Sequence, residues 1–417
     1  LSGRSSLRPM TRVLTVVSRL GRRIWFRAGL FTLGALLLAL GAEWLEPMLP
    51  ALQSLDIGQN SVGNLLTIMA SSMLAVTTFS LTAMVSAYSS ASSVGTPRAT
   101  QLLIQDRTSQ DALSTFLGSF VFSVVGIAAL STGYYGEAAR TLLFVGTLIV
   151  IAVVVITLLH WIGYLADFGR MADIIDRVEK AATRAADAYA EQPALGGLPG
   201  VIVPEGARPV VGTDSGFVTL VDTAALQGIA EEHDLTVHVR LCPGSAAHVG
   251  EPLAYVEGRV TDDQLDAVRR AFDINAHRTY DQDPRLGLVA LAEIAIRALS
   301  PAVNDPGTAI EVLGALERVT LVLLGSDPSG EAQHPRVHVP TATLADFLDD
   351  GFRPIARDGA GQVEVGMRLQ RTLKALANSA TSDDAETIRT AAEQALARAN
   401  AALDDEGDLA AVRAAAG

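Results

Sequence analysis

The 417-residue chain is 49% hydrophobic and only 18% charged, which excludes an ordinary soluble protein of this length and indicates a membrane part joined to a more polar part. The single cysteine, Cys242, excludes an intramolecular disulfide and a cysteine-based zinc or iron–sulfur site. Residues 1–166 have a net charge of +4 and residues 167–417 a net charge of −17; an acidic second part without a basic stripe argues against nucleic acid as a partner.

The N-terminal segment is basic. Residues 1–27 contain seven arginines and no acidic residue, and we predict that residues 1–23 form a basic cytoplasmic N-terminus. The apolar run at residues 24–44 is long enough for a first membrane-spanning helix. The alternative is an export signal, because a short apolar run after Arg22-Arg23 is also typical of secretory and twin-arginine signals.

A second span is predicted at residues 61–94, within a stretch that carries no charge between Asp56 and Arg98. As one helix it would be roughly 50 Å long, more than the roughly 30 Å of a bilayer core. Hydroxyl side chains recur along it at close to the helical period, so they form one polar stripe. These candidate pore-lining residues are Thr67, Ser71, Thr78, Thr82, Ser86, Ser89 and Ser93.

The hydroxyl stripe has two interpretations. In an assembly of several subunits it would line a narrow polar path, as hydroxyls and carbonyls do in channel walls. Alternatively, each hydroxyl bonds a carbonyl of its own helix and the small residues permit close helix packing. The length of the helix favours an assembly, because its uncharged end, Ser86–Val94, would otherwise extend bare into solvent.

Two further spans are predicted at residues 113–132 and 141–166. Basic residues are concentrated before the first span, between the second and third, and after the fourth. The positive-inside rule therefore places both termini in the cytoplasm, for a multi-pass protein of the bacterial inner membrane. The predicted fold is an α-helical membrane domain of four transmembrane helices, residues 24–166, plus a cytoplasmic α/β domain.

The cytoplasmic domain is predicted to begin with a helical extension, residues 167–192, and a Gly- and Pro-rich linker, residues 193–206. Residues 207–260 are predicted to form a small β-rich subdomain. The spacing of its S-G-F-V, P-G-S and V-G-E-P-L-A-Y-V segments is similar to the biotinyl/lipoyl-like barrel, although the carrier lysine is absent. The expectation is a β-barrel-like scaffold without a carrier function.

Residues 261–417 are predicted to be mainly helical. Within them, Asp305 followed by Pro306 predicts an N-cap and a first helical residue. The loop before this helix could bind an ion or ligand, but capping alone also explains its residues. The ligand or structural candidates are Ser300, Asn304, Asp305, Glu293 and Arg297, the last two being spaced as an i,i+4 surface pair.

The segment A-L-S-P-A-V-N-D-P-G-T-A at residues 298–309, together with four predicted spans and a polar second helix, resembles a known family. This is the bacterial predicted-membrane-protein family numbered 2254 in the domain-of-unknown-function series. The lead-in R-T-Y-D-Q-D-P-R-L-G-L at residues 278–288 fits the same family. The resemblance implies this architecture and implies no activity.

No catalytic constellation is visible, because the sequence has no Gly-rich phosphate loop, no G-x-S-x-G elbow and no H-E-x-x-H motif. His233, His238 and His248 fall in different predicted elements, so no metal site is predicted. We therefore expect a protein that is not an enzyme and has no cofactor.

The leading hypothesis is a homo-oligomeric channel or conduit for ions or small solutes, lined by the second helix, with the cytoplasmic domain as assembly platform or gate. Its expected partners are the lipid bilayer, further copies of the chain and an ion or small-molecule ligand. The alternative is a non-transporting membrane sensor or scaffold whose cytoplasmic domain binds a ligand or partner.

Overall fold

The computed structural model describes residues 29, 33–34, 37, 59–104, 107–132, 137–325 and 331–417. Apart from four positions, the predicted first span at residues 24–44 lies outside this set, as do residues 1–23. The chain divides into two compact units. We call them the helical unit, up to residue 94 and from 100 to 173, and the α/β unit, residues 95–99 and 174–417.

The helical unit contains α1 (Gln59–Val94), all but the first three residues of α2 (Pro97–Ile104), α3 (Arg107–Ser131) and α4 (Glu137–Asp167). Within the described part of the chain, three stretches are long and apolar enough to cross a membrane: Ser61–Ser89, Pro97–Ser131 and Ala139–Asp167. The structure thus supports three of the four expected spans and leaves the first one outside its description.

Two buried clusters hold the long helices of this unit together. In one, Leu66 of α1 packs with Phe122 of α3 and Leu143 of α4. In the other, Phe116 and Trp161 are buried, and the Trp161 indole N–H donates to the Ser80 hydroxyl at 3.0 Å. A buried indole needs such a partner inside apolar surroundings, so this bond fixes one side of α1 against α4.

The main part of the α/β unit begins within α5 (Met171–Glu191), and its described residues form eight strands. The first part has three helices and seven strands: β1 (Gly197–Pro199), β2 (Arg208–Val211), β3 (Gly216–Val221), α6 (Thr223–His233), β4 (Thr236–Val239), β5 (Ala246–Ala247), β6 (Pro252–Glu257), α7 (Asp262–Arg269), β7 (Phe272–Asn275) and α8 (Pro284–Ala298). The second part is α9 (Pro306–Leu324), β8 (His334–Val339), α10 (Leu344–Gly351), α11 (Arg353–Asp358), α12 (Val363–Ser379), α13 (Ser382–Ala402) and α14 (Glu406–Ala416).

The strands form two open sheets, and the expected barrel-like subdomain is not confirmed. One sheet has the order β1-β8-β4-β6-β2 and the other β5-β3-β7. Strand β8 comes from far outside residues 207–260 and pairs in parallel with both β1 and β4. The strands of residues 207–260 are therefore divided between the two sheets: β4, β6 and β2 lie in one, with β8 on the other edge of β4, and β3 and β5 lie in the other with β7.

Two Asp-Pro pairs start the central helices of the unit. Asp283 caps α8 and Asp305 caps α9, each followed by a proline in the first turn. The cap side chain accepts amide protons that the helix itself leaves unpaired, and proline has no such proton to lose. Both helix starts are therefore determined locally, as the sequence predicts for Asp305.

Candidate functional site

The hydroxyl stripe of α1 lies on the surface of the helical unit. The side chains of Thr67, Ser71, Thr78, Thr82, Ser86 and Ser89 are all exposed. Ser93 is in the helix, but its side chain lies outside the described part of the structure. The six described candidates therefore share one exposed face, although α1 also has a packed face.

The packed face of α1 is apolar and lies opposite the stripe. Val62, Leu66, Met73 and Met84 are all less than 9% exposed. With 3.6 residues per turn, these positions fall on the far side of the helix from Thr78 and its companions. The neighbours of the stripe are apolar and exposed, for example Ile68 at 62% and Phe79 at 69%.

Four stripe hydroxyls donate to carbonyls of their own helix, one turn back. Thr67 bonds Gly63 at 2.8 Å, Ser71 bonds Thr67 at 3.0 Å, Thr78 bonds Leu74 at 2.9 Å and Thr82 bonds Thr78 at 3.0 Å. These bonds use the proton of each hydroxyl and leave its oxygen able to accept a further hydrogen bond. The stripe is thus an array of acceptor oxygens, which suits water and cations better than lipid chains.

In the loop before α9, the candidate residues make structural contacts. The Asp305 carboxylate accepts from the Thr308 amide at 3.1 Å and from its hydroxyl at 2.6 Å. The Thr308 hydroxyl, more than its amide, lowers the pKa of Asp305. Asn304 has a positive φ of 51° and accepts from Gln362 at 2.9 Å, while Ser300 donates to the Arg297 carbonyl at 2.7 Å.

Glu293 and Arg297 contact residues 95–99, the segment directly after α1 in the chain. Glu293 forms an ion pair with Arg98, and Arg297 donates to the Gly95 carbonyl at 3.1 Å. Sequence analysis placed these two residues on the surface and did not single out Arg98. The spacing of 195 residues between Arg98 and Glu293 leaves no local signal that could have paired them.

A buried ion pair next to this contact was also missed. Arg278 donates to both carboxylate oxygens of Asp283, at 2.7 and 3.0 Å, and the Asp283 side chain is 2% exposed. Asp283 also accepts from the Arg285 and Leu286 amides at 3.1 Å. One carboxylate therefore ties the 278–283 segment to the start of α8.

A third group lies on the five-stranded sheet. The rings of His238 on β4 and His338 on β8 stack with centroids 5.0 Å apart, and the buried His238 contacts Glu257 through Nε2 at 3.2 Å. A cavity of about 400 Å³ adjoins them, lined in part by Val201, Val203 and Thr341. Among the described residues, no three His, Cys, Asp or Glu side chains are grouped so as to hold a metal ion.

Within the described residues, three helices long and apolar enough to cross a membrane are joined to a mixed α/β unit, an arrangement typical of a membrane protein. The model of a family described as a predicted membrane protein, domain-of-unknown-function family 2254, matches residues 21–375. The chain belongs to this family.

The names of the curated relatives assign no activity. An uncharacterized protein of Mycobacterium bovis and one of Mycobacterium tuberculosis are each 26% identical to the chain over 349 residues, which is 78% of this chain and 66% of theirs. The chain thus spans just under two thirds of the length of these relatives. No solved structure matches it.

Proposed function

We propose that the protein is a homo-oligomeric channel or conduit for ions or small solutes in the bacterial inner membrane. In this proposal α1 lines the path and the α/β unit is the cytoplasmic assembly platform or gate. Residues 24–44 add a fourth span, both termini are cytoplasmic, and the protein is not an enzyme.

One observation carries the proposal: the hydroxyls of Thr67 to Ser89 are exposed together on the face of α1 that the described residues of its own subunit do not pack against. A polar face inside a membrane is unfavourable against lipid chains and favourable against water or another polar helix. Several copies arranged with this face inward would remove it from lipid and create a continuous hydroxyl-lined path.

The test is a flux measurement on purified protein in liposomes. Thr78→Val and Thr82→Val each remove a hydroxyl while keeping the side-chain shape. If these residues line the path, each loses a water contact of about 1 kcal/mol, and flux should fall about fivefold per substitution. Thr77→Val is the matched control, because Thr77 is half-buried and bonds the Met73 carbonyl at 2.6 Å.

The proposal requires that the control leaves flux unchanged while the stripe variants alter it. Equal effects at Thr77 and Thr78 would indicate a general disturbance of α1. Absence of both ionic current and solute flux from the unaltered protein, together with a monomeric mass in detergent, would contradict the proposal outright.

The cavity beside His238 favours the alternative function, a membrane sensor or scaffold that binds a small molecule and transports nothing. Its volume of about 400 Å³ is within the range of small-molecule sites. Native mass spectrometry should then detect a small molecule that copurifies with the protein. Val201→Trp should fill the cavity and abolish binding, whereas Ile202→Trp, at a neighbouring residue that is 95% exposed, should not.

A further inference from the structure

The five residues after α1 are part of the α/β unit, although the rest of that unit begins at residue 174. We call this segment, Gly95–Ala99, the strap. Gly95, Thr96 and Ala99 are buried. The Thr96 hydroxyl accepts from the Ala99 amide at 3.4 Å, and Pro97 is the first residue of α2. The strap thus consists of the two-residue turn after α1 and the first three residues of α2.

Three side chains of the α/β unit hold the strap at separate points. Arg297 donates to the Gly95 carbonyl at 3.1 Å, and Tyr280 donates to the Arg98 carbonyl at 3.3 Å. Glu293 forms an ion pair with the Arg98 guanidinium. Because two of the three contacts are to backbone carbonyls, they fix the path of the chain and not only one side chain.

The groups that hold the strap are themselves fixed. Glu293 and Arg297 project from α8, whose first turn is capped by the buried Asp283. Tyr280 lies in the segment that Arg278 and Asp283 bind to that cap. Burial raises the pKa of Tyr280, so its hydroxyl remains a hydrogen-bond donor at all physiological pH values.

The strap pair is only partly exposed. The side chains of Arg98 and Glu293 are 40% and 27% exposed, and the second Glu293 oxygen is buried with no hydrogen-bond partner in the described structure. A carboxylate in this position depends on its cation more than a surface carboxylate does. Loss of Arg98 should therefore release the strap and not merely remove a surface contact.

We infer that the strap couples the α/β unit to α1: Tyr280, Glu293 and Arg297 hold the residues that directly follow α1, so that a movement of α8 is transmitted to the last turns of that helix. The consequence for gating rests on the channel function proposed above. The mechanical connection itself does not.

Hydrogen exchange on the full chain in detergent tests the connection. Arg98→Ala and Glu293→Ala should each speed exchange of the strap amides about tenfold, the size expected when a hydrogen bond to a charged group is lost. Exchange in Ser86–Val94 should rise as well, and the double variant should be no faster than either single one. Arg318→Ala is the matched control. Arg318 donates to the two carboxylate oxygens of Glu179, at 2.5 and 2.7 Å, and neither residue is among those that hold the strap.

Three results would overturn the coupling. The first is strap exchange that is unchanged in both variants, and the second is effects that add in the double variant. The third is faster exchange in the strap with none in Ser86–Val94, which would make the strap an anchor only. Glu293→Gln keeps an acceptor for Arg98 without the charge and should speed exchange in the same segments by a smaller factor. If the alanine variants do not fold, this variant decides whether the strap is coupled to α1.

A flux arm separates this inference from the channel proposal. If the unaltered protein conducts, Arg98→Ala and Glu293→Ala should shift its open fraction in the same direction, and Arg318→Ala should not. Unchanged gating despite faster exchange in Ser86–Val94 would overturn the gating consequence. If the unaltered protein does not conduct, the channel proposal fails, and the exchange result alone decides whether the strap is coupled to α1.

Discussion

The Asp283 carboxylate accepts hydrogen bonds from the Arg278 side chain and from two backbone amides. It pairs with Arg278, caps α8 through two amides and is 2% exposed. The chain leaves room for it at Gly244, which has a φ of +90° and where a Cβ would come within 2.8 Å of Asp283 Oδ1. Only glycine meets both conditions easily.

Replacing Asp283 by alanine should therefore destabilise the α/β unit by about 3–5 kcal/mol, because Arg278 would be left charged and partly buried without its partner. The loss of unfolding free energy is measured by denaturant titration, with hydrogen exchange of the α8 amides as the local readout. Asp262→Ala is the control: Asp262 pairs with Arg208 at 2.8 Å but is 90% exposed, so its loss should cost less than about 1 kcal/mol. Equal effects would show that burial of the Asp283 pair is not what matters.

Asp305 leads to a pH-dependent prediction. The hydrogen bond from the Thr308 hydroxyl is the main cause of its lowered pKa. A carboxylate with a folded pKa below the unfolded value of about 3.9 stabilises the fold above that pH, and the contribution is lost as the pH falls through the folded pKa.

Asp305→Ala should cost about 1 kcal/mol of unfolding free energy at neutral pH. The difference from the unaltered protein should shrink in unfolding experiments carried out below about pH 4. A difference that stays constant down to pH 2 would contradict this account.

At the scale of elements, Gly287 of α8 lies directly against Ala182 of α5. A Cβ there would come within 2.7 Å of the Ala182 Cα atom, so no side-chain rotation could relieve the contact. Gly287→Ala should force the helices apart and cost about 1–3 kcal/mol of unfolding free energy.

A second substitution provides the control for Gly287. Ala182→Gly in the Gly287→Ala background should restore part of the loss, since one of the two clashing methyl groups is then absent. Gly361→Ala should be nearly neutral, because the nearest atom to its Cβ would be 4.0 Å away. If the double variant is less stable than Gly287→Ala alone, the clash is not the cause.

Sequence reasoning succeeded where the signal was local and failed where the partner was distant. The Asp-Pro starts of α8 and α9 need only neighbouring residues. The five-stranded sheet needs β8, which lies 82 residues beyond the start of β6 and is parallel to β4. The hydroxyl stripe could be found from its period, whereas Arg98–Glu293 and His238–His338 exist only through tertiary contacts.

For the whole molecule, the channel proposal predicts where copies of the chain meet. In a Cys242→Ala background, Thr78→Cys and Thr82→Cys should form disulfide-linked dimers on mild oxidation. Met73→Cys is the control, because Met73 is 6% exposed within its own subunit. Cross-linking only at Met73, or at no stripe position, would contradict an assembly with the stripe inward.

Cys242 itself should interfere little with such experiments. Burial raises the pKa of its thiol to about 11, and the thiol donates to the Pro340 carbonyl at 2.8 Å. Since the thiolate is the reactive form, the natural cysteine should label slowly at neutral pH. Rapid labelling of the unaltered protein would show that this region opens in solution.

The strap also has a consequence for biosynthesis. It leaves the ribosome 195 residues before Glu293 does, which at about 5–20 residues per second is a delay of roughly 10–40 s. α3 and α4 are made within that interval, before Glu293, the partner of Arg98, exists. The strap can therefore be held only after α3 and α4 have been made, and the pairing of Arg98 with Glu293 closes a loop that contains both helices.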